Sequence, residues 1–200
     1  MTTPRISLLV PIKDSGQAKS RLGVGDDDLR ARLMAAFAQD ALAAARECNG
    51  VEVFVVGDVD ALSWLGFPVL PDDGAGSLNR ALQRAADRIA VPDRGTAAML
   101  ADLPCLLTAD LETALTGVDR RSFVADAAGT GTTLLVAPAG TPLDPRFGVG
   151  SAEAHASSGA FAVTAELRSL RLDVDTTDDL AAALRFGVGE HTARVASGLA

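Results

Sequence analysis

The chain has 200 residues, of which 48% are hydrophobic and 22% charged, and its formal net charge is −8. This composition excludes a disordered chain, because enough apolar surface is present to offset the entropy lost on folding, and it argues against a nucleic-acid-binding protein, which is usually basic. No apolar run reaches the roughly 18 residues of a membrane span, and no cleavage site follows the first apolar run, so we expect neither a membrane partner nor a signal peptide.

Segments with the pattern of buried strands alternate along the chain with segments of helical periodicity. The predicted strands cover residues 6–11, 51–56, 68–70, 96–101, 123–125, 133–137 and 167–174. The predicted helices cover residues 27–48, 61–65, 77–89, 108–116, 151–157 and 176–185. Thr108 is the predicted cap of one helix, with Glu112 close to capping-box spacing, and Thr176 with Asp179 fits a capping box for another.

This alternation predicts βαβ units and therefore an α/β fold. We expect a mostly parallel, Rossmann-like sheet with helices on both faces, and a single domain over residues 1–200. The stretch 120–150 is rich in glycine, proline and short strands and predicts a small β-rich insertion, a flap over one sheet edge. Two cysteines, Cys48 and Cys105, are too few for a disulfide framework, so we expect a reduced, cytoplasmic protein.

Three cations follow the first predicted strand, namely Lys13, Lys19 and Arg21. Ligands of open α/β sheets bind beyond the carboxyl ends of the strands, and clustered cations neutralise phosphate charge. The loop therefore predicts a polyphosphate site, although it contains neither a GxxxxGK[ST] nor a GxGxxG motif. The alternative is a solvated basic loop, which is a weaker explanation in an acidic protein.

Three carboxylates are predicted at strand ends, at Asp102, Asp173 and Asp175. Asp102 ends the predicted strand 96–101, and Pro104 prevents that strand from continuing. In an extended strand Asp173 and Asp175 share one face, about 7 Å apart, where they repel each other unless a cation is near. This arrangement predicts a divalent-metal site. Helix capping is the alternative, but it leaves Asp173 unexplained.

A glycine-rich region precedes the predicted helix 151–157. Gly148 and Gly150 permit close approach of the backbone to a ligand, and Ser151 is a plausible N-cap. A helix N-terminus of this kind favours anions, and His155, one turn later, could add a donor. The alternative for His155 is a packing or surface histidine.

A second glycine turn, residues 74–76, opens the predicted helix 77–89. Asn79 lies in its first turn and could hydrogen-bond the base or ribose of a nucleotide. The alternative is a glycine linker with Ser77 as the N-cap.

Together, these segments resemble one family over nearly the whole chain, the guanylyltransferases of deazaflavin coenzyme F-420 biosynthesis, which act on phosphoenolpyruvate or 2-phospho-L-lactate. That family is similar in fold to nucleotide-diphospho-sugar transferases. No single segment is decisive, but their order and spacing are specific, and the actinobacterial type is the most similar. The matching segments are VPIK…AKSRL (10–22), GSLNRAL (76–82), ADLPCL (101–106), RRSFVADAAGTGTTLL (120–135), DPRFGVGSAEAH (144–155) and LRLDVDTTDDL (170–180).

The resemblance implies a role for each candidate residue. Mg²⁺, the divalent metal, would be held by Asp102, Asp173 and Asp175. The three-carbon phosphate would be bound by Thr132, Gly148 and Ser151, with His155 beside them. The triphosphate would be lined by Lys13, Lys19 and Arg21, and the guanosine by Asn79. One departure is Ala101, where the family often has glycine before the metal-binding aspartate.

The implied reaction moves GMP from GTP onto phosphoenolpyruvate or 2-phospho-L-lactate and releases pyrophosphate, with hand-over of the product to a downstream deazaflavin transferase. Within the same class, a molybdopterin or sugar-phosphate nucleotidyltransferase is the alternative, but its first loop would usually be glycine-rich. A nicotinamide-dependent oxidoreductase is disfavoured by the missing GxGxxG motif. A non-catalytic GTP-binding regulator would have little reason to keep three strand-end carboxylates.

Overall fold

The computed structural model describes residues 6–12 and 27–199, in which strands and helices alternate as the sequence predicts. The strands are β1 (Ile6–Pro11), β2 (Val51–Gly57), β3 (Val69–Pro71), β4 (Gly95–Met99), β5 (Ser122–Ala125), β6 (Thr132–Ala137) and β7 (Phe161–Ala162). The helices are α1 (Asp27–Arg46), α2 (Val59–Leu62), α3 (Leu78–Ile89), α4 (Thr108–Leu115), α5 (Ser151–Ser157), α6 (Arg168–Arg171), α7 (Thr177–Phe186) and α8 (Glu190–Ala196), with 3-10 turns at Ser63–Leu65 and Ser197–Leu199. Within these ranges no helix combines the length and apolarity that crossing a bilayer requires.

One seven-stranded sheet runs in the order β3-β2-β1-β4-β6-β5-β7. β1 lies parallel between β2 and β4, and β3 pairs in parallel with β2. Strands of a parallel sheet are covered on both faces and therefore read as continuous apolar runs, as residues 8–10 do. The prediction of a mostly parallel α/β sheet is confirmed, since among the strand pairs of the described residues only the two made by β6 are antiparallel.

Helices cover both faces of the sheet. Neighbouring residues of β1 face opposite sides, so Leu8 packs in a cluster with α1 and α4, whereas Leu9 packs in a cluster with α3 and α5. A third cluster joins Phe37 of α1 to Val174 and to α7. The layered arrangement therefore follows from the two-residue period of β1.

The stretch 120–150 is rich in strands, as the sequence predicts, but these strands belong to the sheet instead of forming a flap over its edge. Its strands β5 and β6 extend the sheet beyond β4, and β6 is buried along its whole length. All six residues of the run TTLLVA are buried, including its two threonines, so an exposed position at a sheet edge would leave an apolar strand uncovered.

The predicted strand 167–174 is wrong. The chain forms the single helical turn α6, followed by irregular backbone. Leu167 and Leu170 are both buried, and this three-residue spacing fits one helix face rather than a strand. The Asp110 carboxylate accepts hydrogen bonds from the backbone N–H and the hydroxyl of Ser169, which secures the turn.

The two predicted caps have different outcomes. Thr176 and Asp179 form the capping box at the start of α7. Thr108 is not a cap, because Leu107 holds the N-cap position and the Thr108 hydroxyl donates to the Ala44 carbonyl in α1. Tertiary packing of α4 on α1 therefore replaces the expected local contact.

A buried carboxylate holds the C-terminal helix. Asp40 in α1 is 6% exposed and accepts hydrogen bonds from the backbone N–H groups of His191 (3.0 Å) and Thr192 (2.8 Å) in the first turn of α8. The Asp58 carboxylate caps α2 in the same way, because it accepts hydrogen bonds from the backbone N–H groups of Asp60 and Ala61, but Asp58 is exposed.

We expect Asp40→Ala to lower the free energy of unfolding by about 2–3 kcal/mol, because two buried donors lose their acceptor. Asp58→Ala should cost about 1 kcal/mol, since water can replace the lost cap. Urea denaturation of both variants measures the difference, and equal losses in the two variants would contradict a special role for the buried cap.

Candidate active site

The carboxyl ends of β1 and β4 meet at one edge of the sheet. Both strands run in the same direction, and Asp102 follows β4 there with 9% of its surface exposed. Ala101, which stands where a glycine was expected, packs its methyl group against the main core cluster. The predicted phosphate-binding cations Lys13, Lys19 and Arg21 follow β1 in the sequence and lie outside the described residues.

The segment 173–175 lies beside Asp102. The backbone N–H of Val174 donates to the Asp102 carbonyl at 3.0 Å, and the Val174 side chain is fully buried. Asp173 on one side is half-buried and Asp175 on the other is exposed. This hydrogen bond places the backbone of residues 173–175 next to that of Asp102, with Val174 as the buried residue of an irregular segment.

Within residues 6–12 and 27–199, no three His, Cys, Asp or Glu side chains are grouped closely enough to hold a metal ion. Asp102 and the segment 173–175 thus have neighbouring backbones, but the three aspartate side chains do not form a three-carboxylate cage. Carboxylate oxygens remain the donor type that Mg²⁺ prefers.

Thr132 begins β6 where β4 ends. Met99 is opposite Leu134 in the antiparallel register, and the Leu100 N–H donates to the Thr133 carbonyl at 2.9 Å. Continuation of that register sets Thr132 across from Ala101, one residue before Asp102. The candidate residues for substrate and for metal therefore lie at the same sheet edge.

The turn before Thr132 is built around Asp126, which sequence reasoning missed. Its carboxylate accepts hydrogen bonds from the backbone N–H groups of Thr130 (2.9 Å) and Gly131 (2.8 Å). A Cβ at Gly131 would overlap that carboxylate, so a larger residue there would require the Asp126 side chain to move. The signal was the presence of an aspartate ahead of two glycines, at 129 and 131, since these residue types favour turns.

The sequence predicts that Asn79 binds guanosine, but in the structure its side-chain amide is paired with the backbone of Phe147. Its amide donates to the Phe147 carbonyl at 2.9 Å and accepts from the Phe147 N–H at 2.7 Å. Both arms of the amide are thus used on the backbone of the loop that carries Gly148. Asn79 fastens this loop to α3.

Gly148 and Ser151 lie at the end of that loop. Gly148 has φ +136°, a conformation that side chains rarely adopt. Ser151 is not the N-cap, because Gly150 holds that position, and its side chain is buried. The Ala152 N–H donates to the Thr130 carbonyl at 3.1 Å, which joins the start of α5 to the turn before Thr132. Thr132, Gly148 and Ser151 therefore belong to one region.

His155 is a buried side chain rather than a direct substrate ligand. It is 0% exposed, and its ring contacts the Thr132 hydroxyl at Nδ1 (2.9 Å) and accepts the Arg146 N–H at Nε2 (2.9 Å). The Phe147 ring packs against the His155 ring in an edge-to-face arrangement, with the ring centroids 5.2 Å apart. Burial and the nearby Arg121 charge lower the pKa of His155 from 6.5 to about 4, so the ring is neutral near pH 7.

Both cysteines are buried, and burial raises the pKa of Cys48 and of Cys105 to about 11. Since the thiolate is the nucleophilic form, neither is suited to covalent catalysis. Among the residues that the structure describes, the chemistry available at this sheet edge is that of carboxylates, hydroxyls and backbone groups.

Comparison with known proteins points in one direction. The family model described as guanylyl transferase CofC-like matches residues 6–197. A phosphoenolpyruvate guanylyltransferase of Salinispora arenicola is 45% identical over 198 residues, covering 94% of this chain and 91% of the relative. The enzyme of the same name from Streptomyces coelicolor is 45% identical over 205 residues, covering 96% of each chain.

Solved structures agree on the fold. A protein of Desulfovibrio desulfuricans G20, described as a nucleotide-diphospho-sugar transferase, matches with a TM-score of 0.74 over 97% of this chain and 95% of its own, at 20% identity. At that identity the likeness concerns the fold alone, and it confirms the fold type expected from the sequence.

Proposed function

The chain belongs to the family of CofC-like guanylyl transferases, and from this premise we propose that it transfers GMP from GTP to phosphoenolpyruvate in coenzyme F-420 biosynthesis. The observation that carries the proposal is the meeting of Asp102, the segment 173–175 and Thr132 at one sheet edge. The names of relatives that are 45% identical support phosphoenolpyruvate as the acceptor, and 2-phospho-L-lactate is the alternative acceptor.

In the proposed step, a phosphate oxygen of the acceptor attacks the α-phosphorus of GTP. A new P–O bond forms, the bond from the α-phosphorus to the oxygen bridging to the β-phosphorus breaks, and pyrophosphate leaves with that electron pair. A phosphate dianion is already a nucleophile, so no general base is required. The protein contributes positioning and electrostatic stabilisation.

We assign the acceptor phosphate to Thr132, Gly148 and Ser151. The Thr132 hydroxyl and the backbone freedom at Gly148 suit an anion that must be approached closely. The triphosphate of GTP is assigned to Lys13, Lys19 and Arg21 on the sequence argument alone. Asn79 is left out of the guanosine site, because its amide is paired with Phe147.

Mg²⁺ fits the donor set of Asp102, Asp173 and Asp175. The ion is commonly held by one or two carboxylates together with substrate phosphates, so a three-carboxylate cage is not required. When bound, it would offset charge on the phosphoryl group being transferred. We also propose a cytoplasmic location, since both cysteines are free thiols and disulfides form in oxidising compartments.

The test is pyrophosphate release from GTP and Mg²⁺ with phosphoenolpyruvate, with 2-phospho-L-lactate, and with no acceptor. A matched set contains the downstream deazaflavin transferase, which consumes the product and exposes any product inhibition. We expect release that depends on phosphoenolpyruvate. GTP binding without release in every tube would refute the proposal and favour a non-catalytic GTP-binding regulator.

A further inference from the structure

We infer that His155 is a positioning residue for this reaction, because its buried imidazole connects the Thr132 hydroxyl to the backbone of the loop that carries Gly148. This inference rests on the proposed function, in which Thr132 and Gly148 bind the acceptor phosphate. It replaces the direct contact with substrate that the sequence suggested for His155.

The hydrogen-bond partners settle the tautomer of the ring. The Arg146 backbone N–H can only donate, so Nε2 of His155 is the acceptor and carries no hydrogen. A neutral imidazole has one N–H, which must then be on Nδ1. Nδ1–H therefore donates to Thr132 Oγ1 across the 2.9 Å contact.

This tautomer determines what the Thr132 hydroxyl can do. A hydroxyl has one hydrogen and two lone pairs. Since Oγ1 accepts from Nδ1–H, its own hydrogen is directed to another acceptor, such as a phosphate oxygen. In the opposite tautomer the hydroxyl would donate to Nδ1 and would have no hydrogen for substrate.

The same ring aligns the loop. Arg146 is held through its backbone N–H, and Phe147 is held both by its edge-to-face contact with the His155 ring and by the Asn79 amide. Gly148 follows directly. One side chain on α5 thus connects the beginning of β6 with the loop backbone, so a change at His155 should displace two parts of the acceptor site together.

The His155 ring also remains neutral, as its hydrogen bond from the Arg146 N–H requires. The pKa of His155, about 4, leaves it neutral at physiological pH, with burial as the largest cause and the charge of Arg121 next. An imidazolium could not accept the Arg146 N–H, so protonation would break the loop contact.

Two substitutions separate the two hydrogen bonds. In His155→Asn, the amide nitrogen lies near the former Nδ1 and can still donate to Thr132. In His155→Gln, the amide oxygen reaches the former Nε2 and can still accept from Arg146, but the donor to Thr132 is lost. The other histidine, His191 in α8, provides His191→Asn as a control outside the site.

We expect the KM for phosphoenolpyruvate to be at least about fivefold higher in His155→Gln than in His155→Asn, in line with the loss of one hydrogen bond of ordinary strength. The KM for GTP should change little in either variant, and His191→Asn should behave as wild type. In a Thr132→Val background the difference between Asn and Gln should disappear. A purely structural role would raise both KM values alike and leave the difference in place, and that result would overturn the inference.

A second measurement uses the unaltered protein, so it does not depend on folded variants. The chain has only two histidines, and ¹⁵N NMR of the labelled rings distinguishes the tautomers. We expect one ring to be neutral with Nδ1 protonated from pH 5.5 to 8. Two rings protonated mainly on Nε2 would overturn the inference even if the enzyme is active, whereas a wild type inactive with every acceptor would refute the proposed function itself.

Discussion

Replacing Asp173 by Asn is expected to lower turnover by at least about 100-fold, the loss seen when one charged group that stabilises a transition state is removed. The amide keeps the shape of the side chain but loses the charge that would attract a divalent ion. The fold should survive, because the neighbouring Val174 supplies both the buried side chain and the N–H bonded to Asp102. Turnover is measured by pyrophosphate release over a series of Mg²⁺ concentrations.

Asp178→Asn is the matched control for this experiment. Asp178 lies five residues further on, is exposed in the first turn of α7, and undergoes the same change in charge. Removing the Asp178 charge should lower the free energy of unfolding by only about some tenths of a kcal/mol, because the charge interacts with the helix dipole. Turnover should stay near that of wild type. We also expect the Mg²⁺ concentration for half-maximal rate to rise in Asp173→Asn alone. Near-normal turnover in a folded Asp173→Asn enzyme would contradict the metal assignment.

Acid is expected to destabilise the protein through His155. Its pKa is about 4 in the folded chain against an ordinary 6.5, because of burial and then the charge of Arg121, with Arg146 acting in the same direction and Asp144 opposing. As pH falls below 6.5 the unfolded chain takes up the proton first, so the unfolded state is stabilised relative to the folded one. The contribution of His155 to the free energy of unfolding is fully present above pH 6.5 and is lost as pH falls towards 4. It amounts to about 3 kcal/mol in total.

Comparison with His155→Asn isolates this contribution from that of the carboxylates. The variant has no titrating ring, so its stability should fall less between pH 7 and pH 5. We expect the difference in unfolding free energy between wild type and variant to narrow by about 2 kcal/mol over that range. Urea denaturation at the two pH values provides the measurement, and a difference that stays constant would show that His155 is protonated as readily in the folded chain as in the unfolded one.

Elements whose signal is local could be predicted from the sequence. The apolar run of β1, the helical spacing of α3 and the Thr176–Asp179 capping box each depend on residues within a few positions of one another. The strand-end position of Asp102 followed from the same logic, since ligands of parallel sheets gather at the carboxyl ends of strands.

Elements and side chains whose partners are distant in the sequence cannot be predicted from local patterns. The strand predicted for 167–174 is a helical turn held by Asp110, which is 59 residues away. Asn79 was assigned to guanosine, but its partner Phe147 is 68 residues away. Neither contact leaves a periodic trace near the residue that makes it, so local spacing could not reveal it.

The α/β class and the alternation of strands and helices can be predicted from the sequence, because burial on two faces and helix capping depend on neighbouring residues. The direction of β6, which brings Thr132 to the end of β4, and the placement of His155 between Thr132 and Arg146 become visible only in the folded chain. Packing between elements determines which hydrogen-bond partners a buried polar group has. A polar residue therefore shows its chemistry in the sequence, but it acquires its role only when the fold supplies its partners.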